Sequence, residues 1–165
     1  MAGVVLIDAS PLIVLSRVGG LAWLPVLFGR VHVPLPVRRE VLPDQNKAGE
    51  PAIRAALGDK AFVLLKRDWK QPQFPYLGDG EAACIRAGLH LGGPSLLLMD
   101  DRAGRVTAVE QGLRVAGTAA IVAMAKQRGL IPSARTIFEQ LLQMDFRLSA
   151  EVIRAALEAA GERTS

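Results

Sequence analysis

The sequence predicts an α/β protein with three α/β/α layers, in which a parallel sheet of about five strands lies between helices. Short apolar runs alternate with helical segments at a pace typical of repeated βαβ units. Parallel strands joined in this way are covered by helices on both faces. From Gly117 onward only helical patterns remain, so the strands are expected in the first two thirds of the chain.

Length and composition fit one folded domain over residues 1–165, with residues 132–165 adding extra C-terminal helices. The chain is 50% hydrophobic and 22% charged, unlike disordered chains. No apolar run reaches the roughly 20 residues of a membrane helix, and the N-terminus lacks the pattern of a secretory signal. A single cysteine, Cys84, fits a reducing compartment. We therefore expect a cytoplasmic protein without membrane association.

The first half of the chain begins with a predicted strand over 4–7 that ends at Asp8. Ser10 is predicted to cap the following helix, with Pro11 at its first position, and Gly19 and Gly20 are predicted to end it. The next predicted elements are a helix over 21–28, a strand over 31–33, a helix over 37–42, a loop over 44–50, a helix over 51–57 and a strand over 61–65.

The second half begins with a predicted surface loop over 66–77, which contains two prolines and no periodicity. Asp79 is predicted to cap a helix over 80–91, which is followed by a strand over 95–99, a helix over 102–111 and a strand over 113–115. In the helical C-terminal part, the candidate N-caps are Ser133 and Ser149, and the candidate helix ends are Gly129 and Gly161.

Carboxylates follow two of the predicted strands directly, at Asp8 and Asp100. Ligands of open parallel sheets bind beyond the carboxyl ends of the strands, so the two acids share one crevice if their strands are neighbours. Glu40 and Glu81 lie in helices that follow strand-end loops, Glu81 in a first turn. Crowded carboxylates repel one another unless a cation is present, and Mg²⁺ and Mn²⁺ prefer oxygen ligands. The pattern indicates metal-assisted phosphodiester hydrolysis.

Four segments of the chain resemble PIN-domain nucleases. They are residues 7–13 (IDASPLI), residues 77–81 (LGDGE), the acid pair at 100–101 with the arginines at 102 and 105, and residues 112–118 (GLRVAGT). The likeness covers nearly the whole chain and is akin to a prokaryotic branch related to the toxin ribonucleases of toxin–antitoxin pairs.

The resemblance implies a ribonuclease that uses Mg²⁺ or Mn²⁺ and an acid cluster to cleave RNA. Glu81 stands where the family more often has aspartate, and the adjacent aspartates leave the ligand after the fourth strand open between Asp100 and Asp101. Position by position, the resemblance assigns the catalytic acids to Asp8, Glu40, Glu81 and Asp100, the metal ligands to Asp8, Glu81, Asp100 and Asp101, and substrate contacts to Ser10, Arg102 and Arg105.

Several of these side chains have an alternative, purely structural role. Asp101 is either a helix N-cap or a second ligand, and Arg102 and Arg105 either hold phosphate or pair with neighbouring carboxylates. Phe74 and Tyr76 either stack on unpaired bases or fix their loop to the core. These alternatives stay open at the level of sequence.

Three other functions compete with the nuclease. Twenty basic and sixteen acidic residues give a net charge of +4, which favours a polyanionic partner only weakly. A haloacid-dehalogenase-type phosphatase needs aspartate two positions after the first acid, where this chain has Ser10, and a response-regulator receiver has its acid pair after the first strand. A catalytically weak or inactive PIN-fold module, acting through nucleic acid or a protein partner, is the main alternative. The amphipathic C-terminal helices predict a homodimer or a surface for a small antitoxin protein.

Overall fold

A computed structural model describes residues 3–164 of the chain. Its strands are β1 (Val5–Ile7), β2 (Val31–Pro34), β3 (Phe62–Leu65), β4 (Leu96–Leu98) and β5 (Arg114–Ala116). They form a five-stranded sheet in the order β3-β2-β1-β4-β5, and every pairing is parallel. The predicted three-layer α/β/α fold is confirmed.

Helices connect the strands and continue beyond the last of them. In residues 3–164, no helix is both long enough and apolar enough to cross a bilayer. The helices are α1 (Ala9–Ser16), α2 (Trp23–Phe28), α3 (Leu35–Val41), α4 (Glu50–Leu57), α5 (Asp79–Leu91), α6 (Arg102–Glu110), α7 (Thr118–Gln127), α8 (Ala134–Gln143) and α9 (Ala150–Ala159).

The two central strands form the middle of the hydrophobic core. Leu6 and Ile7 of β1 and Leu97 and Leu98 of β4 are completely buried. Their runs are continuously apolar because helices cover both faces of the sheet. Burying each such side chain contributes roughly 1.5 to 3 kcal/mol. The sheet therefore provides a rigid base for the polar residues that follow its strands.

Two predicted helix caps are wrong. Asp8, in extended backbone conformation, occupies the N-cap position of α1, because β1 passes into this helix through one residue. Ser10 is thus already helical, and its hydroxyl donates to Asp100 instead. The N-cap position of α5 is Gly78, so Asp79 is the first helical residue.

The C-terminal caps and helix ends agree with the prediction. Ser133 and Ser149 each accept a backbone N–H in the first turn of the following helix. Gly129 and Gly161 follow α7 and α9 with φ angles of 73° and 75°, in the left-handed region that favours glycine. A difference lies in the predicted helix over 21–28, whose start is a 3-10 turn at Gly20–Ala22.

A single carboxylate joins the end of the described chain to the start of α8. Glu162 accepts the backbone N–H groups of Ala134 and Arg135 and the hydroxyl of Ser133, and Nζ of Lys126 lies 3.7 Å from it. Burial raises the pKa of Glu162, but these donors and the lysine outweigh burial and lower it from its ordinary value. Charge and donors together stabilise the α7–α8–α9 unit.

We expect Glu162→Gln to lower the free energy of unfolding by about 1 to 2 kcal/mol near neutral pH, because a neutral amide accepts these hydrogen bonds less strongly. Since the pKa of Glu162 is lowered in the folded state, its contribution is present above the ordinary value of 4.5 and disappears as the pH falls through the folded-state pKa. Urea unfolding at about pH 7 and about pH 3 measures both effects. Glu158→Gln, at an exposed position of α9, is the matched control; equal losses in the two variants would contradict the role of Glu162.

Candidate acidic active site

The acid cluster lies at the carboxyl edge of the sheet, where the strand order reverses. β1 pairs with β4 in register from Val5 with Leu96 to Ile7 with Leu98. The backbone N–H of Asp8 donates to the carbonyl of Leu98 at 2.9 Å. The acids that follow the two strands therefore share one edge, as predicted for neighbouring strands.

Asp8 is the buried centre of the cluster, with 2% of its surface exposed. Burial raises its pKa to about 7; the N–H of Ala9 lowers it, and the charges of Glu81, Glu40 and Asp100 raise it further. Within the described chain, its Oδ1 atom is buried and has no hydrogen-bond partner. A buried oxygen without a donor is costly, and a cation would satisfy it.

Glu40 approaches Asp8 from α3, across a glycine of α5. A methyl group built on Gly80 would stand 2.8 Å from Oδ1 of Asp8 and 3.5 Å from Oε2 of Glu40. Both carboxylates therefore face the small space above this glycine. Burial raises the pKa of Glu40, the charges of Glu81 and Asp79 raise it further, and Lys47 lowers it.

Glu81 bends back over the start of its own helix, as its position in the first turn predicts. A methyl group built on Gly78 would collide with its carboxylate, and one built on Gly104 would stand 3.2 Å from its Cγ atom. The side chain thus lies between the N-terminal ends of α5 and α6. Its charge contributes to the raised pKa values of both Asp8 and Glu40.

Asp100 is the most firmly held acid. Oδ2 accepts the hydroxyls of Ser10 and Thr118 at 2.9 and 2.7 Å, and Oδ1 accepts the backbone N–H of Thr118 at 2.7 Å. Sequence reasoning missed Thr118 as a site residue, although it ends the GLRVAGT segment. The Ser10 hydroxyl is engaged with Asp100, and its contact with substrate stays a prediction.

Of the polar residues after Asp100, Asp101 has a structural contact, whereas the two arginines have no carboxylate partner among residues 3–164. Asp101 is exposed and caps α6 by accepting the N–H of Gly104 at 2.8 Å, which supports its structural role; its role as a ligand stays a prediction. Arg102 and Arg105 are exposed, and neither has a carboxylate within 4.0 Å in the described chain. Arg105 Nη1 and Asp100 Oδ1 both flank Gly117, so this guanidinium lies beside the acid cluster.

Two further side chains of the predicted set have structural roles. Phe74 is buried and packs edge-on against Tyr76, with ring centroids 6.5 Å apart. The Tyr76 hydroxyl lies 3.0 Å from that of Thr107, although 65% of the residue is exposed. This pair fixes the loop before α5.

Cys84 is buried, which raises the pKa of its thiol and leaves it as a core residue.

The donor set suits a hard divalent cation. Across residues 3–164, no three acidic, histidine or cysteine side chains are already spaced to enclose an ion. Mutual repulsion keeps metal-free carboxylates apart, and Mg²⁺ retains water in its shell. The unpartnered oxygen of Asp8, with Glu81 and Asp100 charged nearby, fits such an ion.

The fold and the acid cluster together define an α/β protein with a group of carboxylates at the reversal point of a parallel sheet. A family model described as a PIN domain matches residues 4–162. The chain therefore belongs to the PIN-domain family, as its sequence motifs indicated, and has the fold of a nuclease, a phosphodiester hydrolase. No curated protein matches the chain.

We expect Asp8→Asn to change the pH dependence of stability in metal-free protein. Because the folded-state pKa of about 7 exceeds the ordinary value of 3.8, the proton on Asp8 stabilises the wild type most below the ordinary value. This contribution is lost as the pH rises through the folded pKa. Above that value the variant should be more stable, by up to about 4 kcal/mol. Urea unfolding in EDTA across this range measures the difference, with exposed Glu139→Gln as control; parallel curves for wild type and Asp8→Asn would refute it.

Proposed function

We propose that the protein is a metal-dependent endoribonuclease that hydrolyses RNA phosphodiester bonds at the acid cluster. The observation that carries the proposal is the convergence of four carboxylates at one edge of a PIN-domain sheet around a buried oxygen without a partner. These are Asp8, Glu40, Glu81 and Asp100.

Asp8, Glu81 and Asp100 are the residues that would hold Mg²⁺ or Mn²⁺, with Asp101 as a further candidate. When bound, such a cation supplies Lewis-acid stabilisation of the negative charge on the reacting phosphate. Ser10 and Thr118 act as positioning residues, because their donors fix both oxygens of Asp100. A carboxylate fixed in this way needs little reorganisation.

Glu40 is the best-placed acceptor for the proton of the attacking water. It is exposed at the rim of the cluster, and burial and neighbouring charges raise its pKa. A more basic carboxylate is the better proton acceptor. In the reaction, the water oxygen joins phosphorus, the bond from phosphorus to one ribose oxygen breaks, and that oxygen takes up a proton.

Arginine side chains that could hold the phosphates of a nucleic-acid strand lie on both sides of the cluster. Arg105 lies beside Asp100 on one side. On the other, Arg39 and Arg86 line a groove of about 560 Å³ together with four acids, which are Glu40, Asp68, Asp79 and Glu81. Cations that flank an acidic centre can hold successive phosphates while the acids face the bond that is cleaved. The family resemblance and the net charge of +4 favour RNA.

The proposal includes a role as the toxin of a toxin–antitoxin pair, with a second subunit or a small antitoxin protein as partner. Leu142 and Met144 at the end of α8 are 48% and 41% exposed. Apolar side chains exposed in this way can pack against a second subunit or a small antitoxin. The alternative is a weakly active or inactive binding module that acts through these exposed apolar side chains.

Cleavage of labelled RNA tests the proposal. Wild type, Asp8→Asn, Glu81→Gln and the control Glu139→Gln would be incubated with single-stranded RNA or DNA of one sequence, in Mg²⁺, Mn²⁺ or EDTA. We expect RNA cleavage that requires metal and falls at least about 100-fold in the two cluster variants, with fold confirmed by circular dichroism. A well-folded wild type that cuts no RNA in either metal would leave the binding module as the better account.

We also expect Gly80→Ala to impair cleavage without removing any acid. The added methyl group would stand 2.8 Å from Oδ1 of Asp8 and displace that buried carboxylate. A misplacement of about 1 Å can lower a rate about 100-fold, while alanine is the better helix former. Gly88→Ala on the same helix faces Leu97 and Leu113 and serves as the control. Equal activity in the two variants would contradict this view of the site.

A further inference from the structure

A cleft of about 630 Å³ begins at the acid cluster and runs along the C-terminal helices. Asp100, Arg105 and Thr118 line its inner end, where the donors of Thr118 hold Asp100. Its opposite wall is formed by the turn at residues 146–149 and by α9. The cleft is therefore continuous with the site and lies on the other side from the groove at Arg39.

The interior of this cleft is mostly apolar, and its charged groups are two arginines and one acid. Met124, Phe146, Leu148 and Val152 contribute apolar surface between smaller side chains. Its volume is within the range of sites that bind small organic groups. Neither Arg105 nor Arg147 has a carboxylate within 4.0 Å in the described part of the chain, so both guanidinium groups can bind an anion.

We propose that this cleft holds the base of the nucleotide next to the cleaved phosphodiester bond, and so determines which RNA sequence is cut. The inference rests on the proposed ribonuclease function. A group that enters the cleft at Asp100 must be joined to the reacting phosphate. A nucleotide meets this requirement, and its base and its phosphate each match one part of the cleft. The flat apolar base meets Phe146 and the aliphatic wall, and the adjoining phosphate meets Arg105 and Arg147.

A protein partner is the competing occupant, and it fits the inner end less well. A peptide side chain could fill the apolar part, but the inner end places an acid cluster beside an arginine, an arrangement suited to phosphate and metal. An RNA strand accounts for both ends with one ligand, because base and phosphate are adjacent in every nucleotide.

Variants that fill the cleft separate base recognition from chemistry. Ala120 and Ala155 line the cleft on α7 and α9 and belong to no catalytic or metal-binding group. Ala120→Leu and Ala155→Leu preserve helix propensity while reducing the space. Ala55→Leu, at an exposed position of α4 outside this cleft, is the matched control. Arg147→Gln removes one guanidinium and leaves the cleft open.

The substrates are short single-stranded RNAs with each base in turn, or an abasic ribose, on either side of the cleaved bond. For wild type and Ala55→Leu we expect a base preference on one side, and an abasic penalty there of about 10-fold or more in kcat/KM. In the filled variants the preference and the penalty should both largely disappear, since the two changes remove the same contact. Arg147→Gln should lower kcat/KM about equally for every RNA, including the abasic one.

Each result decides a separate question. Filled variants that cleave RNA with the wild-type preference and abasic penalty overturn the base subsite and leave the ribonuclease standing. If Ala120→Leu and Ala155→Leu fail to fold, an Arg147→Gln effect restricted to particular bases overturns the phosphate contact, and an unpenalised abasic RNA in wild type overturns the subsite. If wild type cleaves no RNA in Mg²⁺ or Mn²⁺, the proposed function fails and the subsite fails with it.

Discussion

The parallel pairing of β1 with β4 is the interaction on which the site depends. It joins the first strand of the chain to one that follows a long excursion through two other strands and several helices. Buried leucine and isoleucine side chains fix the register, in which Ile7 pairs with Leu98. Asp8 follows that pair by one residue and Asp100 by two, so both acids leave the sheet at its carboxyl edge. A slip of one residue would turn the buried side chains of one strand to the opposite face, and the distance between the two acids would change with it. The apolar core thus sets the geometry of the most polar part of the molecule.

That geometry has an electrostatic cost. Asp8 is buried among acids, with an oxygen that has no donor in the described chain, an arrangement that a protein built only for stability would avoid. The cost falls on Asp8 and Glu40, whose pKa values are raised, whereas Asp100 has three donors and Asp101 caps a helix. The unpartnered oxygen of Asp8, next to an Asp100 whose oxygens are both held, is the atom that a cation would satisfy.

The sequence predicted the layers of the fold because continuous apolar runs identify buried strands. It predicted the shared edge of the acids because a residue directly after a parallel strand lies at the carboxyl edge of the sheet. The predicted N-caps at Ser10 and Asp79 were wrong, because the position of a cap depends on the residue at which the helix begins and not on residue type alone. Thr118 was missed because its bond to Asp100 exists only once β5 pairs with β4. The contact of Glu162 with the start of α8 likewise depends on how α9 packs. The chemical roles of the acids remain predictions.

The cleft beside Asp100 has a floor and a wall from separate stretches of chain. The floor carries the acid and its donors, whereas the wall, from the turn at 146–149 and α9, carries no member of the acid cluster. A substitution in the wall therefore changes no residue of the acid cluster. The last two helices are nevertheless tied to the rest of the fold, because Phe138, Leu141 and Leu157 are buried in the core. Any change to the wall must therefore keep the packing that holds the sheet and its acids in place.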